Sequence, residues 1–248
     1  YSSYNGFGKA YNDWVVQCTW EGDNNVLAMS IGKPLVQHIV SILDDGKVVK
    51  GSSDFLNDVS KFNNDTPFLT KKEDLNDPAK LLQAIEVAII RTAVAAAKVY
   101  KENNDSSDSI SAYAVALSKL KAHHYMYKEY LRRIAETKDQ KIVGHLQQLG
   151  KVYANTIAIE GFAAQFLTYN VISSELFSYL TSKHIPTLLG EVRPNVIPLT
   201  DAFQQSDLLI NSQIGLYDGN IYENYFTTVK QLNPPINSKA PYNDALVA

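Results

Sequence analysis

The residue types that could do chemistry stand together in one short run near the start of the chain: Glu21, Gly22, Asp23 and Asn24. An apolar-periodic segment follows at once and predicts a helix. Asn24 or Asn25 could cap this helix by accepting hydrogen bonds from its free N–H groups, and Gly22 would permit a sharp turn or the close approach of a ligand. The pattern therefore places one carboxylate, that of Glu21, at the entrance to a helix N-terminus.

The neighbours of Glu21 affect what its carboxylate could do. Trp20 and Cys18 would give it apolar surroundings, and these raise the pKa of a carboxyl towards the range of a general base. A glutamate beside a glycine is also common at an ordinary helix start. From these residues alone, a catalytic acid and a simple capped helix start are both open.

Two adjacent histidines, His123 and His124, raise the question of a metal site. Consecutive residues of a helix point about 100° apart, so the two rings cannot easily share one ion. The Glu-x-x-His signature of di-iron bundles is absent, and a single cysteine excludes a cysteine zinc site. We predict no metal, and we assign His124 to the seam of a helix and His123 to its flank.

Further along the chain, two groups of polar residues invite a functional reading. Asp218-Gly219 is typical of a turn, and Arg193-Pro194 of a helix end, so we interpret both as structural. The remaining basic residues of interest share one predicted helix, where they indicate a solvated flank: Lys119, Lys121, Arg132 and Arg133.

Composition and charge exclude several classes of function. The 248 residues are 45% hydrophobic, with 23 Lys and Arg against 26 Asp and Glu, which gives a formal net charge of −3. This balance gives no argument for nucleic acid binding. A single cysteine cannot form an intrachain disulfide and fits a reducing compartment. We predict no membrane span and no signal peptide, because a run of about 18 apolar residues and a basic-then-apolar start are both missing.

Hydrophobic periodicity predicts an all-α protein built as a helical bundle. One helix starts at Asn24 and stops at Asp44-Asp45-Gly46, and a stronger one starts at Asp77-Pro78 and ends before Asn103. Two later segments carry apolar residues at alternating spacings of three and four, which indicates a helical hairpin closed by a turn at 137–140.

The hairpin has a testable register. If the two antiparallel helices pack together from the turn onwards, His124 lies level with Tyr153, and Leu117 with Glu160. Towards the end of the chain, we predict that the apolar segment 203–214 is buried. A last amphipathic helix, 221–231, precedes an extended tail.

Two strings carry a family resemblance. The first is Cys18-Thr19-Trp20-Glu21-Gly22-Asp23-Asn24-Asn25, and the second joins Glu191-Val192-Arg193-Pro194-Asn195 to Gly215-Leu216-Tyr217-Asp218-Gly219. In this order the strings resemble the fungal type of peroxisomal acyl-CoA oxidase, over nearly the whole chain. The sequence departs from the family pattern at two places. At Lys33-Pro34 the family has an arginine followed by an aromatic residue, and at Leu216 it has an arginine.

The resemblance implies an activity and its residues. Glu21 would contact the substrate and act as the general base that removes the α-proton of a fatty acyl-CoA, while its backbone N–H polarises the thioester carbonyl. Gly22, Asp23 and Asn24 match the segment that runs beside the cofactor FAD. FAD would take the β-hydride and pass electrons to oxygen, which yields trans-2-enoyl-CoA and hydrogen peroxide, as in the first step of peroxisomal fatty acid β-oxidation.

The resemblance also implies a domain organisation within the acyl-CoA oxidase/dehydrogenase fold. Residues 1–45 would end the first C-terminal helical domain, 46–78 would be a linker with a short helix, and 79–248 would form the second C-terminal helical domain. We expect a missing N-terminal part of the same polypeptide to complete the pocket, a homodimer, and a peroxisomal location. The chain alone is expected to be inactive.

Two rival readings make different predictions. A non-enzymatic helical assembly domain would leave Glu21 as a surface acid, whereas a catalytic Glu21 lies in a cleft. An acyl-CoA dehydrogenase is a closer rival, but the long second helical region and the string Tyr217-Asp218-Gly219-Asn220 argue against it, because the resemblance assigns both features to the oxidases.

Overall fold

The computed structural model of the protein describes residues 2–233 and 242–247, and within them the fold is all-α, as predicted. No strand occurs in these residues, and two isolated β-bridges join Asn5 to Ser212 and Leu69 to Ile172. The α-helices are α1 (Phe7–Val15), α2 (Asn24–Asp45), α3 (Val59–Phe62), α4 (Pro78–Glu102), α5 (Ser111–Glu136), α6 (Gln140–Tyr153), α7 (Ala163–Thr168), α8 (Ser174–Tyr179), α9 (Ile185–Val192), α10 (Val196–Asp201), α11 (Asp207–Ile210), α12 (Ile221–Leu232) and α13 (Asn243–Val247).

The predicted boundaries of the long helices are confirmed, and local chemistry explains them. The Asp77 carboxylate accepts hydrogen bonds from the N–H groups of Ala79 (2.9 Å) and Lys80 (3.2 Å), and Pro78 occupies the first position of α4. Gly46 ends α2 in the left-handed region, with φ 64°, where a side chain would be unfavourable.

The chain divides into two compact units. The smaller unit comprises Tyr1–Glu21 and Ile197–Ala248, and the larger one Gly22–Val196. The division falls between Glu21 and Gly22, inside the run of candidate site residues.

The core of the larger unit lies where α2, α4 and α5 pack together. Helix α4 is buried on almost every side along its central turns, which fits a helix that neighbours surround. Helices α2 and α5 approach closely at Gly32, where an added Cβ would lie 1.9 Å from the carbonyl oxygen of Ala114. Glycine is therefore required at this crossing.

By length and composition alone, α2 is the one helix of the described residues that could cross a membrane, with a mean hydropathy of 1.5. Core helices of soluble proteins meet the same criterion. In this fold Leu35, Val36 and Ile39 of α2 are buried in the helical core.

The segment 46–78 contains short helical pieces, and most of its large apolar side chains are buried. A 3₁₀ helix, Gly51–Asp58, leads into α3, and a second one, Lys72–Asn76, leads into α4. Its buried side chains are Phe55, Leu56, Val59, Phe62, Leu69 and Leu75. The segment thus contributes to the core as well as connecting α2 to α4.

The register of the α5–α6 hairpin agrees with the prediction at Tyr153 to within one residue. The Tyr153 hydroxyl lies 2.6 Å from Nδ1 of His123, and its ring stacks on Tyr127 with centroids 6.1 Å apart. The second predicted pair, Leu117 with Glu160, stays a prediction, but Leu117 is fully buried whereas Glu160 is exposed, so Glu160 does not lie on the buried face.

A change of helix type explains why Glu160 lies off the buried face. After Tyr153 the chain continues as a π-helix, Ala154–Ile159, and then as a short 3₁₀ helix. A π-turn holds more residues than an α-turn, so the side chains beyond it rotate onto another face. The buried side chains of the π-segment are those of Ala154, Asn155, Ala158 and Ile159.

In the smaller unit, Asn5 joins the chain start to the segment around Ser212. The N–H of Gly6 donates to the carbonyl oxygen of Asn211 (2.7 Å), and the Asn5 side chain accepts from the Ser212 hydroxyl (3.1 Å) and from the N–H of Gln213 (3.0 Å). These bonds hold α1 beside the segment that precedes α12.

The predicted burial of 203–214 is wrong. Phe203 is 75% exposed and Leu208 is 88% exposed, so these apolar side chains form surface in this chain. The predicted extended tail falls mostly on 234–241, outside the described residues, and Asn243–Val247 beyond it is helical.

Candidate active site

A tight turn after α1 brings the chain to Glu21. A 3₁₀ turn, Val16–Cys18, follows α1, and the N–H groups of Thr19 (3.1 Å) and Trp20 (3.0 Å) both donate to the carbonyl oxygen of Val16. The Trp20 indole N–H donates to the Gln17 side chain at 3.1 Å. These local bonds end the helix and fix the backbone directly before Glu21.

Glu21 has a left-handed backbone conformation, with φ 57°. Outside glycine this region is unfavourable by about 1–3 kcal/mol, and Asn or Asp occupy it more readily than Glu. Five further non-glycine residues of the described part adopt this conformation: Asn104, Asp105, Asn170, Gln204 and Asn211. All of them except Gln204 are Asn or Asp. The conformation of Glu21 is thus a local strain at the acid that the sequence singled out.

Gly22 continues this turn with φ 128°, a conformation that other residues rarely adopt. A Cβ added at Gly22 would lie 3.0 Å from Cδ2 of Leu27 on α2. The backbone conformation therefore requires glycine next to Glu21.

Hydrogen-bonding groups of the turn are left available for a ligand. Within the described residues, the backbone N–H groups of Glu21 and Gly22 donate no hydrogen bond. The Glu21 carboxylate is exposed and forms neither a hydrogen bond nor an ion pair there. The expected enclosure by Trp20 is wrong for this chain, because the Trp20 side chain is itself 54% exposed.

Asp23, not Asn24 or Asn25, caps α2. Its carboxylate accepts from the N–H groups of Asn25 (2.8 Å) and Val26 (3.4 Å), and its backbone is extended, as a capping residue requires. The sequence placed the cap one or two residues too late because Asn and Asp are equally good caps. The Asp23 carboxylate therefore occupies the N-terminus of α2, while the exposed Asn24 side chain has no hydrogen bond in the described part of the chain.

The two histidines have separate surroundings. His124 is 1% exposed, and its Nε2 lies 2.9 Å from the Glu86 carboxylate, so its predicted place in the helical seam is confirmed. His123 is half-buried against Tyr153 and Phe162, and this burial lowers its pKa. Among residues 2–233 and 242–247, no three His, Cys, Asp or Glu side chains are grouped so that they could hold a metal.

Asp218 has a structural role within the smaller unit. Its carboxylate accepts from the side-chain amide of Asn224 (2.9 and 3.0 Å) and from the N–H of Asn220 (2.9 Å), and these bonds lower its pKa. The turn is thereby held to the first turn of α12. Arg193 is exposed.

Sequence reasoning missed Arg91, a buried arginine of α4 that is only 6% exposed. All five of its N–H groups donate hydrogen bonds, to the carbonyl oxygens of Phe62, Thr66, Tyr169 and Asn170 and to the side chain of Asn64, at 2.8 to 3.0 Å. Burial lowers its pKa, and Asp65 partly offsets that effect. The signal that could have revealed Arg91 is that it is the one charged residue in the apolar run 87–97.

Two family models match the sequence. The model described as "Acyl-CoA oxidase" matches residues 77–248, and the model described as "Acyl-CoA oxidase, C-alpha1 domain" matches residues 1–36. The candidate run that begins at Glu21 lies inside the second of these matches.

Curated relatives are similar over the whole chain. An acyl-coenzyme A oxidase of Debaryomyces hansenii is 56% identical over 248 residues, and acyl-coenzyme A oxidase 4 of Candida tropicalis is 56% identical over 252 residues. Each comparison covers 100% of this chain and 35% of the relative. The chain therefore spans about a third of the length of these relatives.

Solved structures show the same fold. The chain is similar to acyl-CoA oxidase 1 of Yarrowia lipolytica, with a TM-score of 0.88, 37% identity, and coverage of 100% of this chain and 36% of that one. A structure of Caenorhabditis elegans acyl-CoA oxidase-1, complexed with FAD and ATP, has a TM-score of 0.85 at 22% identity and covers 99% of this chain and 38% of that one. The matched region is the C-terminal helical part of these oxidases.

Proposed function

Because this chain belongs to the acyl-CoA oxidase family, we propose that it supplies the general base of an FAD-dependent enzyme that desaturates fatty acyl-CoA to trans-2-enoyl-CoA. The observation that carries this proposal is the backbone of Glu21. Strained, left-handed residues other than glycine cluster at active sites, where the surrounding structure holds them in place. Here the strained residue is an unpaired carboxylate, followed by a glycine that the turn requires.

In the proposed reaction, the Glu21 carboxylate removes the α-proton of the thioester. The α-carbon of a thioester is weakly acidic, so the developing enolate oxygen must be stabilised as the proton leaves. The N–H of Glu21, which donates no hydrogen bond within the described residues, is available to hold that oxygen. One residue would thus provide both the base and a donor to the developing negative charge.

The residues after Glu21 fit a neighbouring cofactor. The free N–H of Gly22 and the unpaired amide of Asn24 are neutral groups that suit the polar oxygen atoms of FAD. Asp23 would contribute by holding the helix start in place, because its carboxylate already accepts two backbone N–H groups. When bound, FAD supplies the hydride acceptor and passes the electrons to oxygen, which forms hydrogen peroxide.

The remaining parts of the proposal follow from the family. The pocket is completed by parts of the oxidase outside this chain, since the Glu21 carboxylate is exposed and the chain spans about a third of its relatives. We propose a homodimer that works in the peroxisome. We also propose that residues 1–45 end the first C-terminal helical domain, that 46–78 connect the two domains, and that 79–248 form the second one, a division that the two matched ranges support.

An anaerobic experiment tests the proposed reaction. A medium-chain acyl-CoA is mixed with the full-length FAD-loaded oxidase, and the flavin absorbance is followed before and after oxygen is admitted. We expect bleaching by the acyl-CoA, and then reoxidation with about one peroxide formed per reduced flavin. Bleaching without reoxidation by oxygen would indicate a dehydrogenase, and no bleaching at all would favour an assembly domain.

A further inference from the structure

An apolar cavity lies outside the candidate active site, where α5, α6 and the π-helix Ala154–Ile159 meet within the larger unit. Its volume is about 460 Å³, and its apolar lining comes from Met126 of α5, Leu149 and Val152 of α6, and Ile157 of the π-helix. Sites for small molecules typically have volumes of about 300–1,000 Å³ and a mainly apolar lining with few polar groups. The cavity has the size and the lining of such a site.

The π-helix shapes one wall of this cavity. Four of its six side chains are buried in the helical core, whereas the other two, Thr156 and Ile157, line the cavity. A π-turn inserted into an α-helix is rare and occurs frequently at functional sites. The departure from α-helical geometry after Tyr153 thus lies at the wall of the cavity.

Another wall is the ring of Tyr130, which lies against Gly150 of α6. A Cβ added at Gly150 would lie 2.9 Å from Cε1 of Tyr130, so a larger residue there would displace the ring. The Tyr130 hydroxyl donates a hydrogen bond of 2.7 Å to the carbonyl oxygen of Leu146. Both contacts hold the ring in place, so this wall is formed before any ligand binds.

The polar groups of the lining are already bonded within the protein. The Thr156 hydroxyl donates to the carbonyl oxygen of Val152 (2.7 Å), and the Tyr153 hydroxyl lies 2.6 Å from Nδ1 of His123. Burial raises the pKa of Tyr130 and of Tyr153 and lowers the pKa of His123, which favours the neutral form of each group.

Within the described part of the chain, none of the side chains that line the cavity carries a charge. A charged group of a ligand would therefore lose hydration on entering the cavity without gaining a counter-ion. An uncharged alkyl chain would instead gain the full benefit of leaving water. The lining thus selects for an apolar ligand.

We propose that this cavity is a binding site for an uncharged, hydrocarbon-like small molecule of the type of a medium-chain alcohol. The site goes beyond the proposed oxidation of acyl-CoA and does not depend on it. Its lining residues all belong to the larger unit and lie outside the run that begins at Glu21.

Straight-chain alcohols are suitable probes. The full-length FAD-loaded oxidase is titrated in a calorimeter with 1-hexanol, 1-octanol and octanoate. Each CH₂ group buried in an apolar cavity tightens binding by about fourfold, so we expect 1-octanol to bind about fifteenfold more tightly than 1-hexanol. Octanoate has the same chain length as 1-octanol but a charged end, and we expect it to bind at least about tenfold more weakly.

Two tryptophan variants place the binding in this cavity. Ile157 is 46% exposed at its edge, so in Ile157→Trp the larger ring can fill the cavity without disturbing the core. The matched control is Ile142→Trp, at a residue of α6 that is 50% exposed and does not line the cavity. We expect Ile157→Trp to weaken 1-octanol binding at least about tenfold and Ile142→Trp to leave it unchanged, with peroxide formation retained in both. Met126→Trp, at a residue that is 47% exposed, fills the same cavity from α5 and replaces Ile157→Trp if that variant does not fold.

Three results would overturn the proposal. The first is no binding of 1-octanol, as expected if another part of the oxidase or a second copy covers the cavity. The second is equal binding of octanoate and 1-octanol, and the third is equal binding of 1-octanol by the cavity-filling variant and by Ile142→Trp. An alcohol has no thioester to oxidise, so each of these failures is distinguishable from failure of the flavin experiment.

Discussion

Glu21 has a backbone strain that an ordinary surface acid does not have. Its backbone occupies the left-handed region at φ 57°, and its successor Gly22 is at φ 128°. A helix start does not require this geometry, since the neighbouring Asp23 caps α2 from an ordinary extended conformation. The turn instead presents the Glu21 carboxylate and its N–H away from local partners, which is what a base with an adjacent hydrogen-bond donor needs.

Two substitutions at Asp23 distinguish a structural role of its carboxylate from an electrostatic one. We predict that Asp23→Ala lowers the unfolding free energy of the full-length oxidase by about 1 kcal/mol, because two N–H groups of α2 lose their acceptor. Asp23→Asn should retain the stability and most of the activity, since asparagine caps equally well. Urea titration and peroxide assays of both variants check this. A large loss of activity in Asp23→Asn with unchanged stability would show that the negative charge itself is needed.

Arg91 should be the most sensitive charged residue for stability. Lysine cannot reproduce five hydrogen bonds to a ring of acceptors, so we predict that Arg91→Lys lowers the unfolding free energy by about 2–4 kcal/mol. The matched control is Arg132→Lys, at an exposed residue paired with Glu129 and Glu136, where we expect a change below about 1 kcal/mol. Similar losses in the two variants, measured by urea titration, would contradict this role.

At the level of elements, the sequence predicted helices well wherever local chemistry decides their ends. Asp77-Pro78, the turn at 137–140 and Gly46 each carry their own signal, and α4, α6 and α2 begin or end there. The π-helix after Tyr153 carries no such signal, because no capping residue, proline or turn glycine marks where it begins. The seam beyond it was therefore assigned to the wrong face, as the exposed Glu160 shows.

The close approach of α2 and α5 gives a prediction about these elements. In Gly32→Ala the new methyl group would collide with the backbone of Ala114, and a helix backbone cannot yield without moving the whole element. We expect a loss of at least about 2 kcal/mol in the unfolding free energy.

Gly144→Ala is the matched control for Gly32→Ala. Gly144 lies within α6 with nothing within 4 Å of an added Cβ, and alanine should stabilise such a position by up to about 1 kcal/mol. Thermal unfolding of both variants would show opposite shifts. Equal, small shifts would mean that α2 and α5 are further apart than described.

At the scale of the whole molecule, prediction was weakest for apolar surfaces. The apolar residues of 203–214 were assigned to the core, yet Phe203 and Leu208 are exposed in this chain. Hydrophobicity favours burial only on average, because apolar atoms also contribute much of the surface of folded proteins. The same applies to Glu21, since the sequence singled out the acid and its family but did not predict that its side chain is exposed in this chain.

Two histidines, the half-buried His123 and the buried His184, make the stability of the fold depend on pH. Burial lowers the pKa of His123 and of His184 below their ordinary value of about 6.5. Between those lowered values and about 6.5, the unfolded chain binds more protons than the folded one, so stability is lost as the pH falls below about 6.5.

We predict that the double variant His123→Gln/His184→Gln loses less stability between pH 7.5 and pH 5.5 than the unaltered protein. Glutamine keeps a polar side chain at each position but does not titrate. Urea titration at the two pH values gives the difference directly. An unchanged pH dependence would show that other groups account for it.

The measurement that tests the central claim most directly is peroxide production from a medium-chain acyl-CoA by the full-length oxidase and its Glu21→Gln variant, with flavin content measured in both. Asp13→Asn is the matched control, since it removes an exposed carboxylate of the same unit, one that pairs with Lys9 and with no other cation among the described residues. We predict that Glu21→Gln abolishes peroxide formation while FAD stays bound, and that Asp13→Asn is as active as the unaltered enzyme. Full activity of Glu21→Gln would mean that the carboxylate is not the base, and it would contradict the account.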